Sequence, residues 1–417
     1  MLFIFSLRRY ILEINLDRII EQFNLMSNVG IDSNGGITRL ALSQEDKEAR
    51  DLLVSWMKNV GLSIRVDDVG NIYGRREGSV SDAKPIVLGS HLDSIEDSGQ
   101  FDGVMGILAA LEVVRVLNDY SIKTKRPIEI VNFTNEEGIR FKNLMTGSGV
   151  LSQDYDIESV YNEKDAHGKT FLDELKAINY LGKKEHRLLE AKAFVELHIE
   201  QGPILDSEKI SIGAVEGTLG ANWLQVKVVG EESNSGPTPM YVRKDPLIST
   251  AKLILEINKL VKEIGERAII TIGDVKVKPG NINTVPGEVT FLVDVRGENE
   301  KENNLGVELV IEKLKTIAKE YEVQIEFKTL RSAEPAVFSP EIVDTIFSAA
   351  DKLGYSVKRM VSGAGHNSSF MNNICPTAMI FVPSVDGKSH NPKELTRWTD
   401  IEKGANTLLY TTLNLMT

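Results

Sequence analysis

Pro85-Ile86-Val87-Leu88-Gly89-Ser90-His91-Leu92-Asp93 runs from an unbroken apolar segment into an imidazole and a carboxylate. The run 85–89 has the length and composition of a strand buried on both faces, and such strands belong mainly to parallel sheets. Apolar residues at helical spacing follow over 104–117, and then a second buried-strand run, Ile128-Glu129-Ile130-Val131-Asn132-Phe133. Upstream, Ala49, Leu52, Leu53, Trp56 and Met57 recur at helical spacing, Gly61 ends that segment, and a strand-like run covers 62–66. Strands alternating with helices predict an α/β layer.

Between residues 215 and 330 the rhythm changes. Strand 223–229, helix 247–264, strands 268–277 and 288–296, helix 304–320 and strand 323–327 give the order β-α-β-β-α-β of a ferredoxin-like unit. Past Pro340 the α/β style resumes with a helix through Leu353, a strand over 378–382 and a closing helix over 400–415. The expected organisation is a discontinuous α/β domain, residues 1–214 and 331–417, with a mixed sheet between helices and an inserted α+β domain, residues 215–330. A chain of 417 residues exceeds the size at which single cores usually stop growing, which agrees with two domains.

Composition narrows the function. With 42% apolar and 26% charged residues the chain reads as a soluble globular protein. Its formal charge of -12 argues against nucleic-acid binding, which relies on basic surface. One cysteine, Cys375, leaves no internal disulfide and no thiolate metal cluster, so a reducing compartment, the cytoplasm, is expected. The apolar opening Met1 to Leu7 is followed, not preceded, by Arg8 and Arg9, unlike a secretory signal. No run approaches the ~20 apolar residues that span a bilayer.

Acids and imidazoles recur in short segments bounded by turn residues: His91 and Asp93, Phe101-Asp102-Gly103, Asn135-Glu136-Glu137-Gly138, Glu196-Leu197-His198-Ile199-Glu200-Gln201-Gly202, and Ser389-His390-Asn391-Pro392. Any one alone reads as a polar loop; together they point to a two-metal hydrolase. Two cations held close together need a shared anionic ligand, and Asp102 is the candidate bridge. His91 and Asp93 lie two apart, on one side of an extended segment. The Asp93 carboxylate is therefore expected to approach one imidazole nitrogen while the other binds metal. Of the adjacent acids, Glu137 is assigned as ligand and Glu136 as the base for a water whose pKa the metals lower from about 15.7 toward 7. His198 and His390 would each cap one metal, and His366 is a further candidate near the site, as a substrate contact. Imidazole and carboxylate without thiolate suit Zn²⁺, Mn²⁺, Co²⁺ or Ni²⁺ alike.

These segments, together with Phe133 to Phe141 and Phe381 to His390, resemble the carbamoylase and ureidohydrolase branch of the two-metal aminoacylase and carboxypeptidase superfamily, over nearly the whole chain. The branch contains N-carbamoyl-L-amino-acid hydrolases, allantoate amidohydrolases and β-ureidopropionases. In the wider superfamily the place of His198 is often an acid, so His-Ile-Glu-Gln-Gly favours this branch over peptidases. The resemblance implies metal ligands at His91, Asp102, Glu137, His198 and His390 and a general base at Glu136. It also implies substrate contacts at Gln201, Asn283 and Arg296, and a homodimer whose inserted domain makes the dimer contact and closes over a small ureido acid. An arginine fork suits a substrate carboxylate.

Two positions depart from the pattern. Asn234 in Asn234-Ser235-Gly236-Pro237-Thr238-Pro239-Met240 stands where relatives carry a histidine that helps hold substrate, often across the dimer. A neutral amide there still donates a hydrogen bond, but loss of a charged donor to an oxyanion would slow turnover by about 10²-fold. Asn367 follows His366 where relatives usually have Asp. Allantoate or β-ureido acids as substrates, an aminoacylase or dipeptidase activity, and a catalytically silent ligand-binding role stay open on the sequence.

Overall fold

The computed structural model describes residues 12–80 and 82–416, so the reading of residues 1–9 as no secretory signal lies outside the described residues. Gly217–Val337 form one compact unit, and the described residues on either side of that segment form another.

In the larger unit a mixed sheet runs in the order Ser63–Val66, Ile72–Arg76, Ile128–Phe133, Ile86–His91, Ala193–Ile199, Thr377–Val382, Ile212–Thr218, with Val357–Ser362 also paired to the last of these. The four strands from Ile128–Phe133 to Thr377–Val382 are mutually parallel and buried at every residue, the polar Glu129, Asn132, Glu196 and His198 included. Antiparallel strands flank them. Helices Val104–Asp119 and Trp398–Leu415 pack on this sheet and on each other. Tyr73, Val87, Val131, Phe133 and Phe194 pack with Leu151 and Met371 of the short helices Thr146–Leu151 and Asn367–Met371. Burying side chains of this size contributes about 1.5–3 kcal/mol each.

Because the four parallel strands share one direction, their carboxyl ends lie along one edge, where open α/β sheets collect their ligands. Ile86–His91 ends in His91, Ile128–Phe133 leads to Glu136 and Glu137, His198 is the penultimate residue of Ala193–Ile199, and Thr377–Val382 leads toward His390.

The smaller unit has four antiparallel strands in the order Gln324–Ala333, Gly220–Val229, Glu288–Gly297, Ile269–Lys278. Burial alternates along Gly220–Val229 and Glu288–Gly297, so one face is covered, by Leu253 and Ile257 of helix Pro246–Lys259 and by Val310 and Leu314 of helix Glu300–Glu320. Asp245 opens the first helix by accepting the N–H groups of Leu247 and Ile248, with Pro246 set where its missing N–H costs nothing. Asn299 caps the second through Glu302 N–H. Among the described residues, no helix is long and apolar enough to cross a membrane.

Candidate active site

His91 and His198, both about 1% exposed, are oriented by main-chain carbonyls. His91 Nδ1–H donates to the Asp93 carbonyl at 2.9 Å and His198 Nδ1–H to the Ile199 carbonyl at 2.9 Å, which leaves each Nε2 lone pair for another partner. The Asp93 carboxylate does not serve His91 as its position two residues on suggested, since its nearer oxygen is 3.9 Å from Nδ1. It accepts instead the backbone N–H groups of Glu136 at 3.2 Å and Glu137 at 3.1 Å. The strand ends at His91, and beyond it the Asp93 main-chain carbonyl takes the ring while the carboxylate crosses to the loop after Ile128–Phe133. Asp93 therefore holds the two acids in place.

Asp102 lies at the start of helix Val104–Asp119, where the helix dipole favours an anion. Its Oδ1 is 3.4 Å from His91 Nε2 and 3.1 Å from His198 Nε2, while its Oδ2 is 3.4 Å from His390 Nε2. Glu137 Oε2 lies 3.5 Å from the same His390 nitrogen, and Glu136 Oε2 3.8 Å from His91 Nε2. Each oxygen of one carboxylate thus faces its own set of donors. The ligand atoms of His91, Asp102 and His198 lie within 4.8 Å of one another, as do those of Asp102, Glu137 and His390. The loop carrying the acids is fixed by Asn135, left-handed at φ 52°, whose amide donates to the Asn143 carbonyl at 2.9 Å and Thr146 Oγ1 at 2.7 Å.

Gly103 makes this approach possible. Its φ is +65°, and a Cβ there would stand 2.5 Å from His91 Nε2. We expect Gly103→Ala to displace the His91 ring and lower metal affinity by about 10-fold or more; calorimetric titration of the folded variant with unchanged affinity would contradict this.

Charge on these groups is set by burial and by one another. Burial pushes Glu136 up to about 7, with His91 opposing and Asp93 and Asp102 adding to the rise. Burial and the neighbouring Asp102 and Glu136 raise Glu137 well above the carboxylate range. Burial disfavours charge on His91, but Glu136, Asp102 and Asp93 outweigh it and the imidazole is raised well above its usual value. Burial likewise opposes charge on His198, and Asp102 overcomes it. The hydrogen bond to Asp102 is the main reason His390 is raised. Although burial disfavours its charge, Asp102 is held well below the carboxylate range, chiefly by His198.

Several buried atoms find no hydrogen-bond partner: Glu137 Oε1, Gln201 Oε1 and His198 Nε2, the last at contact distance from Asp102 without hydrogen-bond geometry. Buried carboxyl oxygens and imidazole nitrogens converging in this way fit divalent cations. Coordination needs these carboxyls and imidazoles without their protons, and Glu136, Glu137, His91, His198 and His390 are all raised, so metal uptake should release protons and apparent affinity should fall as pH is lowered. Calorimetry between about pH 6 and 8 in buffers of different ionisation heat checks this; a heat independent of buffer would contradict it.

The remaining candidates fall in two places. Gln201, left-handed at φ 59°, donates from Nε2 to Asp102 Oδ2 at 2.7 Å. His366 is 2% exposed; its ring edge meets His198 with centroids 4.6 Å apart, its Nε2 is 3.0 Å from Ser362 Oγ, and burial drives its pKa well down. Asn367, also buried, accepts Ser148 Oγ–H at 2.8 Å. Asn234, Asn283 and Arg296 belong to the smaller unit. There the ladder Ser233–Asn234 with Thr284–Val285 brings the two asparagines together: Ser235 N–H donates to the Asn283 carbonyl at 3.0 Å, and Asn234 Oδ1 accepts Gly236 N–H at 3.0 Å. Arg296, near the end of its strand, donates from Nε and Nη2 to Asp294 Oδ2 at 2.9 and 2.7 Å.

Two buried acids escaped the sequence reading. Glu196 lies two residues before His198 and accepts Ser90 Oγ–H at 2.8 Å and Ser368 N–H at 3.1 Å; the spacing that puts both on one face of a strand was the available signal. Glu394, four residues past His390, accepts the N–H groups of Phe101 and Asp102. Nothing in its spacing pointed to a residue so distant in sequence.

Carboxylates and imidazoles gathered at the carboxyl edge of a parallel sheet, with a protonatable Glu136 among them, are the equipment of a hydrolase that works with divalent metal. Residues 87–414 match the model of Peptidase family M20/M25/M40, and the chain belongs to that family. It is 38% identical over 96% of both chains to the N-carbamoyl-L-amino-acid amidohydrolase of Rhizobium meliloti, and 33% identical to the allantoate amidohydrolase of Escherichia coli, covering 92% of this chain and 94% of that one. A hydantoinase/carbamoylase-family amidase from Burkholderia multivorans superposes with a TM-score of 0.93 at 38% identity, covering 97% of this chain and 98% of its own. The chain is a hydrolase acting on C–N bonds.

Proposed function

We propose that the chain hydrolyses the ureido C–N bond of an N-carbamoyl-L-amino acid to give the amino acid, ammonia and carbon dioxide. The observation that carries this reading is Glu136 set beside donors organised around one shared carboxylate, in a chain similar over its full length to an N-carbamoyl-L-amino-acid amidohydrolase. His91, Asp102 and His198 would hold one divalent ion and Asp102, Glu137 and His390 a second, of the zinc, manganese, cobalt or nickel type. When bound, such ions polarise a carbonyl and make water more acidic.

Glu136 takes the proton of the attacking water and passes it to the leaving nitrogen, while Asp93 keeps the Glu136 and Glu137 backbone fixed. Gln201, Asn234 and Asn283 donate hydrogen bonds to the substrate, Arg296 pairs with its carboxylate, and His366 acts through the His198 ring against which it packs. We assign the smaller unit the part of lid and dimerisation domain of a homodimer. The single, buried Cys375 suits the cytoplasm.

Ammonia release from N-carbamoyl-L-methionine, allantoate and N-carbamoyl-β-alanine, beside dipeptide cleavage, tests the reading. N-carbamoyl-L-methionine should turn over fastest. Faster allantoate turnover would move the assignment to the activity named for the Escherichia coli relative, faster dipeptide cleavage would make the chain a dipeptidase, and tight binding without product would make it a ligand-binding protein.

A further inference from the structure

Glu394 is 5% exposed, and its two oxygens go separate ways. Oε1 accepts Phe101 N–H at 2.9 Å and Asp102 N–H at 3.2 Å. Oε2 lies 3.1 Å from Ser389 Oγ, and that hydroxyl is also 3.2 Å from Asp102 Oδ2. Glu394 N–H closes its own turn onto the Asn391 carbonyl at 2.9 Å, which ties it to the loop that carries His390. Room for it is left at Gly99, where a Cβ would stand 2.3 Å from both Glu394 Cβ and Oε1.

We infer that Glu394 is a positioning residue: it clamps the backbone that carries Asp102 to the loop that carries His390, and so sets the aim of the shared carboxylate. The inference rests on the reading of Asp102 and His390 as metal ligands. Two backbone N–H groups and one hydroxyl converge on this single side chain, from segments nearly 300 positions apart in the chain. Without it the Phe101 and Asp102 amides lose their acceptor, and Asp102 can rotate away from one donor set. Partners that orient a ligand typically contribute 10- to 100-fold in metal affinity.

The test is Co²⁺ titration of the metal-stripped full chain, by calorimetry and visible absorption, for wild type, Glu394→Ala, Glu394→Gln and Asp102→Asn. Glu394→Ala should weaken Co²⁺ binding by about 10- to 100-fold and alter the absorption band while its melting stays cooperative. Glu394→Gln, whose amide oxygen can accept both backbone N–H groups, should restore binding to near wild type. Wild-type affinity and spectrum in Glu394→Ala overturn the inference. If that variant does not fold, Glu394→Asp, one methylene shorter, takes its place; weakened binding supports the clamp and wild-type binding overturns it. Unchanged binding in Asp102→Asn would instead sink the ligand reading itself, whereas weak Asp102→Asn beside normal Glu394→Ala removes only the positioning role.

Discussion

Glu136→Gln is expected to lower kcat by about 10²- to 10⁴-fold, with metal content and KM near wild type. The amide keeps the size of the carboxyl, and its backbone N–H keeps the bond to Asp93, but it cannot take a proton from water or return one to the leaving nitrogen. A base must be deprotonated to act, so the rate should fall as pH drops through the Glu136 pKa. Burial sets that value at about 7 without cations; bound cations favour the carboxylate, so the acid limb should lie below 7. Steady-state ammonia release against pH, with metal analysis of the same samples, reads both effects. Full turnover in the variant would remove Glu136 from the chemistry, and loss of metal would make it a ligand instead.

Asp102→Asn is expected to have the larger effect on the metal centre. Both donor sets share this carboxylate, one through each oxygen, so a neutral amide weakens both. Metal affinity should fall by more than about 100-fold, beyond the range typical of residues that only support a ligand, and activity at limiting metal should fall with it. The change also takes from His198 and His390 the anion that chiefly raises them, and from His91 one of the three that do. The pKa values of His198 and His390 should drop most and that of His91, which keeps Glu136 and Asp93, less, which histidine NMR titration can follow. Retained affinity with wild-type imidazole titrations would show that the carboxylate is not the shared partner.

The parts of the fold that the sequence made legible were those whose burial is written in one segment. Ile86–His91 and Ile128–Phe133 are mainly apolar because layers packed on the sheet, helix Val104–Asp119 among them, bury both their faces. Ile72–Arg76 escaped notice because Gly74 and two arginines interrupt it; Arg75 tolerates its place by pairing with Glu129 of the adjacent strand, a partner invisible to local pattern. Ile212–Thr218, with two glycines, and Val357–Ser362, with Lys358 and Arg359, were missed for similar reasons. In the site, the acids and imidazoles themselves stood out, since charge at the ends of apolar runs has a recognisable pattern. What spacing did not reveal was direction: whether Asp93 would offer its carboxylate or its carbonyl to His91 depends on the path of the chain past the strand's end. Nor could spacing show that Glu394 folds back onto the amides of Phe101 and Asp102.

In the proposed function the two oxygens of Asp102 serve two cation sites that together support C–N hydrolysis. Stepwise addition of Mn²⁺ or Co²⁺ to metal-stripped protein, with bound metal counted per chain and ammonia release from N-carbamoyl-L-methionine measured at each step, tests it most directly. The expected result is two ions bound per chain, with activity reaching its plateau only as the second site fills and both features lost in Asp102→Asn. Full activity with one ion, or activity in metal-stripped protein, would contradict it.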